Sequence, residues 1–162
     1  MTAMEKTAPA ADRELVLTRI INAPRELVFK AWTDTELLKR WFAPLPWATP
    51  VAETDVRPGG SNLIVKRSPD GMDYPNRGVY LEVVKNRRLV FTDAYTSAWE
   101  PSDKPFMTVI LTFEDAGGMT KYTATVRHWT VADRETHENM GFHKGWAQCA
   151  DQLEAVARSL KD

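Results

Sequence analysis

The hydrophobic and polar positions change their period along the chain. Residues 14–21 (ELVLTRII) crowd β-branched and aliphatic side chains and stop at Asn22, Ala23 and Pro24, the pattern of a strand that runs straight into a helix start. Leu27, Val28, Ala31 and Trp32 then recur at three-and-four spacing, which predicts a helix of about two turns with Pro24 in its first turn. The tetrad TDTE, residues 33–36, reads as a capping box for a second short helix. In that box the Thr33 hydroxyl and the Glu36 carboxylate each accept a hydrogen bond from a free backbone N–H. This helix presents Leu37, Leu38 and Trp41 on one side, and Pro44 ends it.

Between residues 51 and 128 short apolar runs are separated by turn chemistry, which predicts strands near 50–56, 62–68, 77–84, 88–95, 107–114 and 120–128. The links RPGG, SPDGMD, KN and DAGG are short, so successive strands are antiparallel neighbours; SAWEPSDKP is the one longer loop. In the last run Tyr122, Ala124, Val126 and His128 alternate with Lys121, Thr123, Thr125 and Arg127, so the first set points inward. Met107, Val109, Leu111 and Phe113 share one side of the run before it.

The tail reads as one long helix capped near Thr130–Asp133, with His143, Trp146, Ala147, Ala150, Leu153, Ala157 and Leu160 as the stripe that meets the sheet. Gly141 and Gly145 each cost a helix about 1 kcal/mol relative to Ala, which signals close backbone approach, a bend, or room left beside the helix.

Composition narrows the partners. A chain of 162 residues holds one domain, and a net charge of −1 creates no field that attracts nucleic acid or an anionic membrane. Cys149 is the sole cysteine, which rules out an intrachain disulfide, and residues 1–12 have no apolar period. The expectation is a cytoplasmic protein with a disordered leader over 1–12, a single domain over 13–162 and no membrane span. Six tryptophans are the unusual count, and several fall at predicted element ends.

The order strand, two short helices, six strands, long helix is the helix-grip arrangement of an α+β domain. NAPRELVFKAWTD (22–34), ELLKRWFAP (36–44), DVRPGG (55–60), GVYLEVVKNRRLVFTD (78–93) and GWAQCADQLEAV (145–156) resemble the family of Hsp90-ATPase-activator-like (AHSA1-like) domains, within the START-like and polyketide-cyclase-like superfamily. The resemblance covers nearly everything after residue 13. It implies a curved antiparallel sheet of about seven strands gripping a long carboxy-terminal helix, with a cavity between them closed at one end by the short helices. Fold is not function in such a superfamily. The resemblance implies binding of a small hydrophobic molecule, with two alternatives: a co-chaperone-like contact with an Hsp90-type ATPase, or a cyclase-like or hydrolase-like enzyme using a polar cavity residue such as His128 or Asp93. A homodimer is a further expectation from the exposed aromatics.

The aromatics carry the site expectation. Trp41, Phe42 and Trp47 lie within seven positions broken by Pro44 and Pro46, so no regular element holds all three in one apolar face; with the resemblance they become the cavity rim. Tyr95, Tyr122, Trp129 and Trp146 extend the lining, and Trp32 reads as plain core. His128 and His143 reach the mouth of the cavity, either as satisfied structural histidines or as ligand contacts. His137 and His143 stand six apart, too far for two ligands on one helical face, and HENMG lacks the second His of a zinc motif, so no metal or cofactor is expected. Asp93 shares a strand face with Leu89 and Phe91, and Glu82 shares one with Tyr80. A buried carboxylate beside a phenol would be a proton-transfer candidate, an outward one a solvated acid, and the pattern leaves both open. No catalytic residue is assigned.

Overall fold

In the computed structural model, which describes residues 9–160, the chain begins with a 3-10 turn, Ala10–Arg13, and enters strand β1, Glu14–Ile21. Helices α1, Arg25–Thr33, and α2, Thr35–Leu38, lead to β2, Ala48–Thr54, β3, Ser61–Arg67, β4, Asp73–Val84, and β5, Arg88–Thr92. A small hairpin of β6, Tyr95–Ser97, and β7, Glu100–Pro101, precedes β8, Met107–Ala116, and β9, Met119–His128. Helices α3, Val131–Asn139, and α4, Phe142–Ser159, follow. Seven strands form one antiparallel sheet in the order β1-β9-β8-β5-β4-β3-β2. The fold is therefore the expected α+β helix grip: a curved sheet, two short helices after the first strand, and a carboxy-terminal helix against the inner face. Because β1 and β2 are opposite edges, the 22–47 connection, with α1 and α2, must cross from one side of the sheet to the other.

The inner face follows from strand alternation. Tyr122, Ala124, Val126 and His128 of β9 are all buried, and Val109, Leu111 and Phe113 of β8 lie opposite Val126, Ala124 and Tyr122 on the same side. Against them α4 lays Ala150, Leu153, Val156 and Ala157, and α1 adds Val28, Ala31 and Trp32. Leu89, Leu111 and Leu153 are wholly shielded from water, and each such side chain contributes about 1.5–3 kcal/mol of burial. Among the described residues no helix is long and apolar enough to cross a membrane.

Several boundaries differ from the sequence expectation, each for a local reason. Thr33 ends α1, donating its hydroxyl to the Phe29 carbonyl, and Asp34 is the cap of α2 instead, its carboxylate accepting the N–H groups of Glu36 and Leu37. Residues 10–12 form the 3-10 turn rather than part of a leader, held by the Arg134 guanidinium on the Asp12 carbonyl; residues 1–8 of that expected leader lie outside the described residues. β4 starts at Asp73, not 77, because the Ser68 hydroxyl closes a tight turn on Met72 and lets pairing begin at Arg67–Asp73. The long helix is two. Gly141 at φ 95° stands in the left-handed region that glycine tolerates, so the chain turns between α3 and α4. Thr130 caps α3 as expected, accepting from the Asp133 N–H.

Candidate functional site

The space between sheet and carboxy-terminal helices has two unlike ends. At the α1–α2 end aromatic rings interlock: Trp32 meets Trp41 at 4.6 Å, Phe42 at 6.0 Å and Phe91 at 5.7 Å between centroids. Trp32 donates its indole N–H to the Tyr122 hydroxyl (3.2 Å), and Trp41 donates to the Ala31 carbonyl (2.9 Å). Trp41 is thus no rim residue. It is 3% exposed and wedges α2 onto α1, since the turn after Leu38 swings its ring inward. Trp32 is core, as expected. The loop that follows is fastened to α4. Gln152 donates to the carbonyls of Trp41 (2.9 Å) and Ala43 (2.8 Å) and accepts the Leu45 N–H, Gln148 donates to the Leu45 carbonyl, and the Cys149 thiol reaches the Phe42 carbonyl at 3.4 Å.

Toward α3, Met107, Trp146 and Cys149 pack on the core yet stay half-buried, as do Phe42 and Phe91 at the margin of the aromatic knot. Lys66 is also there. Asn62, Ile64 and Lys66 alternate along β3, and Ile64 belongs to the buried core, so Lys66 points the same way. Its cross-strand partner is Tyr74, whose ring lies 5.5 Å from Trp47; directly opposed residues share a face, which brings Trp47 and Tyr74 to the Lys66 side of the sheet. Burial lowers the Lys66 pKa, opposed only by the nearby Cys149 thiol. Burial in turn pushes Cys149 up to about 11.

His128 and His137 form the floor of this end. His128 is 1% exposed, and its Nδ1 lies 2.9 Å from the Arg13 carbonyl, which can only accept, so that nitrogen carries a hydrogen. With neutral rings, Nε2 of His128 then accepts from Nδ1–H of His137 at 2.8 Å. Arg13 returns a hydrogen bond to the His128 carbonyl at 2.9 Å, tying the start of β1 to the end of β9. His137 is driven down to about 4 by burial first, then by its closeness to His128 and Lys66. Rings of Phe106 and Phe142 flank it at 5.3 and 5.2 Å.

The remaining expected site residues are scattered. Tyr122 is buried under Trp32, and Trp146 stacks obliquely on Phe142 at 5.4 Å. His143 is not on the buried stripe: the turn at Gly141 rotates it outward, where it pairs with Glu138 at 3.2 Å. Trp129 is 49% exposed just past β9, and Tyr95 packs edge-on against Trp99 of the small hairpin, 6.2 Å away. Two surface grooves, of about 580 and 410 Å³, open elsewhere; among the nine expected residues only His143 lines either one, in the larger, beside Asp12, Arg134 and Glu138.

The carboxylates are committed to structure. Asp93 accepts the N–H groups of Phe106 (2.8 Å) and Met107 (3.0 Å), which closes the base of the 94–105 loop and ends β5 at Thr92 rather than at Tyr95. A bulge between Tyr80 and Glu82 puts Glu82 opposite Val90 and off the Tyr80 face, where it pairs with Arg88 at 2.9 Å. Among the described residues no group of three or more His, Cys, Asp or Glu side chains could hold a metal ion. Sequence reasoning missed Lys66 and the His128–His137 pair. The first was visible in the alternation of Asn62, Ile64 and Lys66. The second was hidden, because it depends on where α3 turns.

The family model described as "Activator of Hsp90 ATPase homolog 1-like protein" matches residues 22–158. A crystal structure of a protein from Nitrosomonas europaea is 38% identical, covers 92% of this chain and 96% of its own, and superposes with a TM-score of 0.89. A crystal structure of a protein from Chromobacterium violaceum is 25% identical over 90% of this chain and 96% of that one (TM-score 0.73). The solution structure of an AHSA1-like protein from Aeromonas hydrophila, 20% identical over 90% of this chain and 92% of its own, shares the fold at TM-score 0.68. No curated protein matches the sequence.

Proposed function

Because the chain belongs to the Activator of Hsp90 ATPase homolog 1-like family, we propose that it binds a small, largely apolar molecule between the sheet and α4, at the α3 end of the grip. One observation carries this reading. Met107, Trp146 and Cys149, with Phe42 and Phe91 bordering them from the aromatic knot, are apolar, pack on the core, and nonetheless keep part of their surface accessible, whereas Ala150, Leu153, Val156 and Ala157 farther along α4 are shielded almost completely. Apolar side chains left half-covered on an inward face gain by covering with an apolar guest, at about 25 cal/mol per Å² removed from water. Asp93, His128 and His137 are tied into structural hydrogen bonds, so the reading assigns them no turnover.

The test is occupancy. Mass spectrometry of the native protein should find a small apolar molecule retained, and adding an apolar aromatic compound should raise the melting temperature, since a ligand that binds only the folded state stabilises it by mass action. Replacement of Cys149 by Phe, which fills the half-covered space, should abolish that rise. An unchanged response in Cys149→Phe, or no response from the native protein to any apolar compound, refutes the reading.

A further inference from the structure

We propose that Lys66 is the anchor for an anionic group on the bound molecule, so that the ligand is an amphiphile with an apolar body and one carboxylate, sulfonate or comparable acidic head. The inference rests on the apolar-binding reading above and specifies its ligand class.

The argument starts from placement. Lys66 extends from the inner face of β3, in line with buried Ile64 and beside Tyr74, on which Trp47 packs. The groups that act on it electrostatically or share its surroundings are the Cys149 thiol and the His137 imidazole, with His128 behind His137. None of these offers a negative charge: burial holds Cys149 protonated, and the histidine pair is satisfied as neutral rings. No carboxylate among the described residues hydrogen-bonds to or ion-pairs with Lys66, whereas its strand neighbour Arg67 is paired with Asp73 and Arg88 with Glu82. A partly desolvated ammonium without a counter-ion is costly, and proteins keep such groups paired. A neutral apolar guest would cover the neighbouring rings and worsen the desolvation of Lys66. An anionic head would instead supply the missing charge and a short, charge-assisted hydrogen bond, while the rings of Trp47, Phe91 and Trp146 cover the body.

The test uses two fluorescent probes with the same carbon skeleton: anilinonaphthalene sulfonate, which is anionic, and its uncharged parent phenylnaphthylamine. Native protein should bind the sulfonate more tightly by about tenfold or more, the scale of one charge-assisted hydrogen bond. Lys66→Met should erase that preference while binding phenylnaphthylamine at least as tightly as the native protein, because no ammonium is left to desolvate, and Lys66→Arg should keep the preference. Lys66→Gln, polar and of similar reach, should behave as Lys66→Met and serves if the Met variant fails to fold. If both probes bind and the preference for the sulfonate survives in Lys66→Met or Lys66→Gln, or is absent from the native protein, the anchor is wrong and the apolar-binding reading stands. If the native protein binds neither probe, both fall together.

Discussion

The two halves of α4 bury themselves in different ways. From Ala150 to Ala157 the helix shows the sheet Ala150, Leu153, Val156 and Ala157, none more than 6% exposed, and the gap closes on the Trp32–Trp41–Tyr122 knot. From Phe142 to Cys149 only Phe142 is buried, and Gly145, Trp146, Ala147 and Cys149 keep partial access to water, with Lys66 near Cys149 and His137 against Phe142. Gly145 has nothing within 4 Å of where a Cβ would stand, so the glycine there is not forced by a close neighbour. The contrast teaches where stability and function separate: one half holds the grip shut, and the other leaves its surface for something else to cover.

The largest effect should come from breaking the tight half. Trp41→Ala removes a nearly fully buried ring and leaves the Ala31 carbonyl without its indole donor, so chemical denaturation should show a loss of about 3–5 kcal/mol. Trp146→Ala, on the loose half, should cost less than about half as much, because its ring is already partly in water. Equal losses would erase the distinction. Enlarging side chains sharpens it from the other direction. Ala157→Phe forces a ring into a fully occupied layer and should cost about 1–3 kcal/mol or more, whereas Cys149→Phe should stay within about 1 kcal/mol of native. A Cys149→Phe penalty as large as that of Ala157→Phe would mean that both halves are solidly packed.

The sequence made the tight half legible and the loose half only in part. Strand alternation identified Tyr122, Val126 and His128 as inward, and three-and-four spacing placed Leu153 and Ala157 on the sheet side, because a buried stripe must repeat with its element. Trp41 was misread as rim, since a ring beyond a helix end has no period to follow, and only the turn after Leu38 decides its direction. His143 was misread as buried for a related reason: one helix through residues 130–160 keeps it on the stripe, whereas the left-handed turn at Gly141 resets the phase. Glu82 lost its face to a one-residue bulge, which alternation cannot anticipate. Lys66 was readable from its parity with Ile64, yet a lysine in a strand is so commonly a surface residue that only its missing partner singles it out.

Acid should attack the loose half first. His137 titrates near 4 when folded against 6.5 as its ordinary value, so between those two pH values the unfolded chain binds more protons than the native one. Stability is therefore complete for this group above about pH 6.5, declines as pH falls toward 4, and falls no further below it. Partial exposure to water reduces the loss to about 1–2 kcal/mol. Denaturation midpoints taken across that window should drop for the native protein and drop less for His137→Gln, which cannot gain the charge. The same slope in both would show that His137 is not the group responsible.

The smallest perturbation is a chemical label on Cys149, which leaves the fold's stability untouched during the measurement and reports directly on which half admits small molecules. It is the chain's one cysteine, half-buried beside Lys66, so alkylation monitors a single position at that end of the grip. Burial holds its thiol near 11, and the thiolate is the reacting form, so the rate with iodoacetamide should be slow at pH 7 and rise about tenfold for each pH unit below the pKa. The Lys66 ammonium opposes the burial effect, so Lys66→Met should raise the thiol pKa further and slow the reaction at fixed pH. Anilinonaphthalene sulfonate should protect the thiol in the native protein and lose that protection in Lys66→Met. Fast labelling at neutral pH that the sulfonate leaves unchanged would place Cys149 in open solvent, and the contrast between the halves of α4 would then be one of surface against core rather than of site against core.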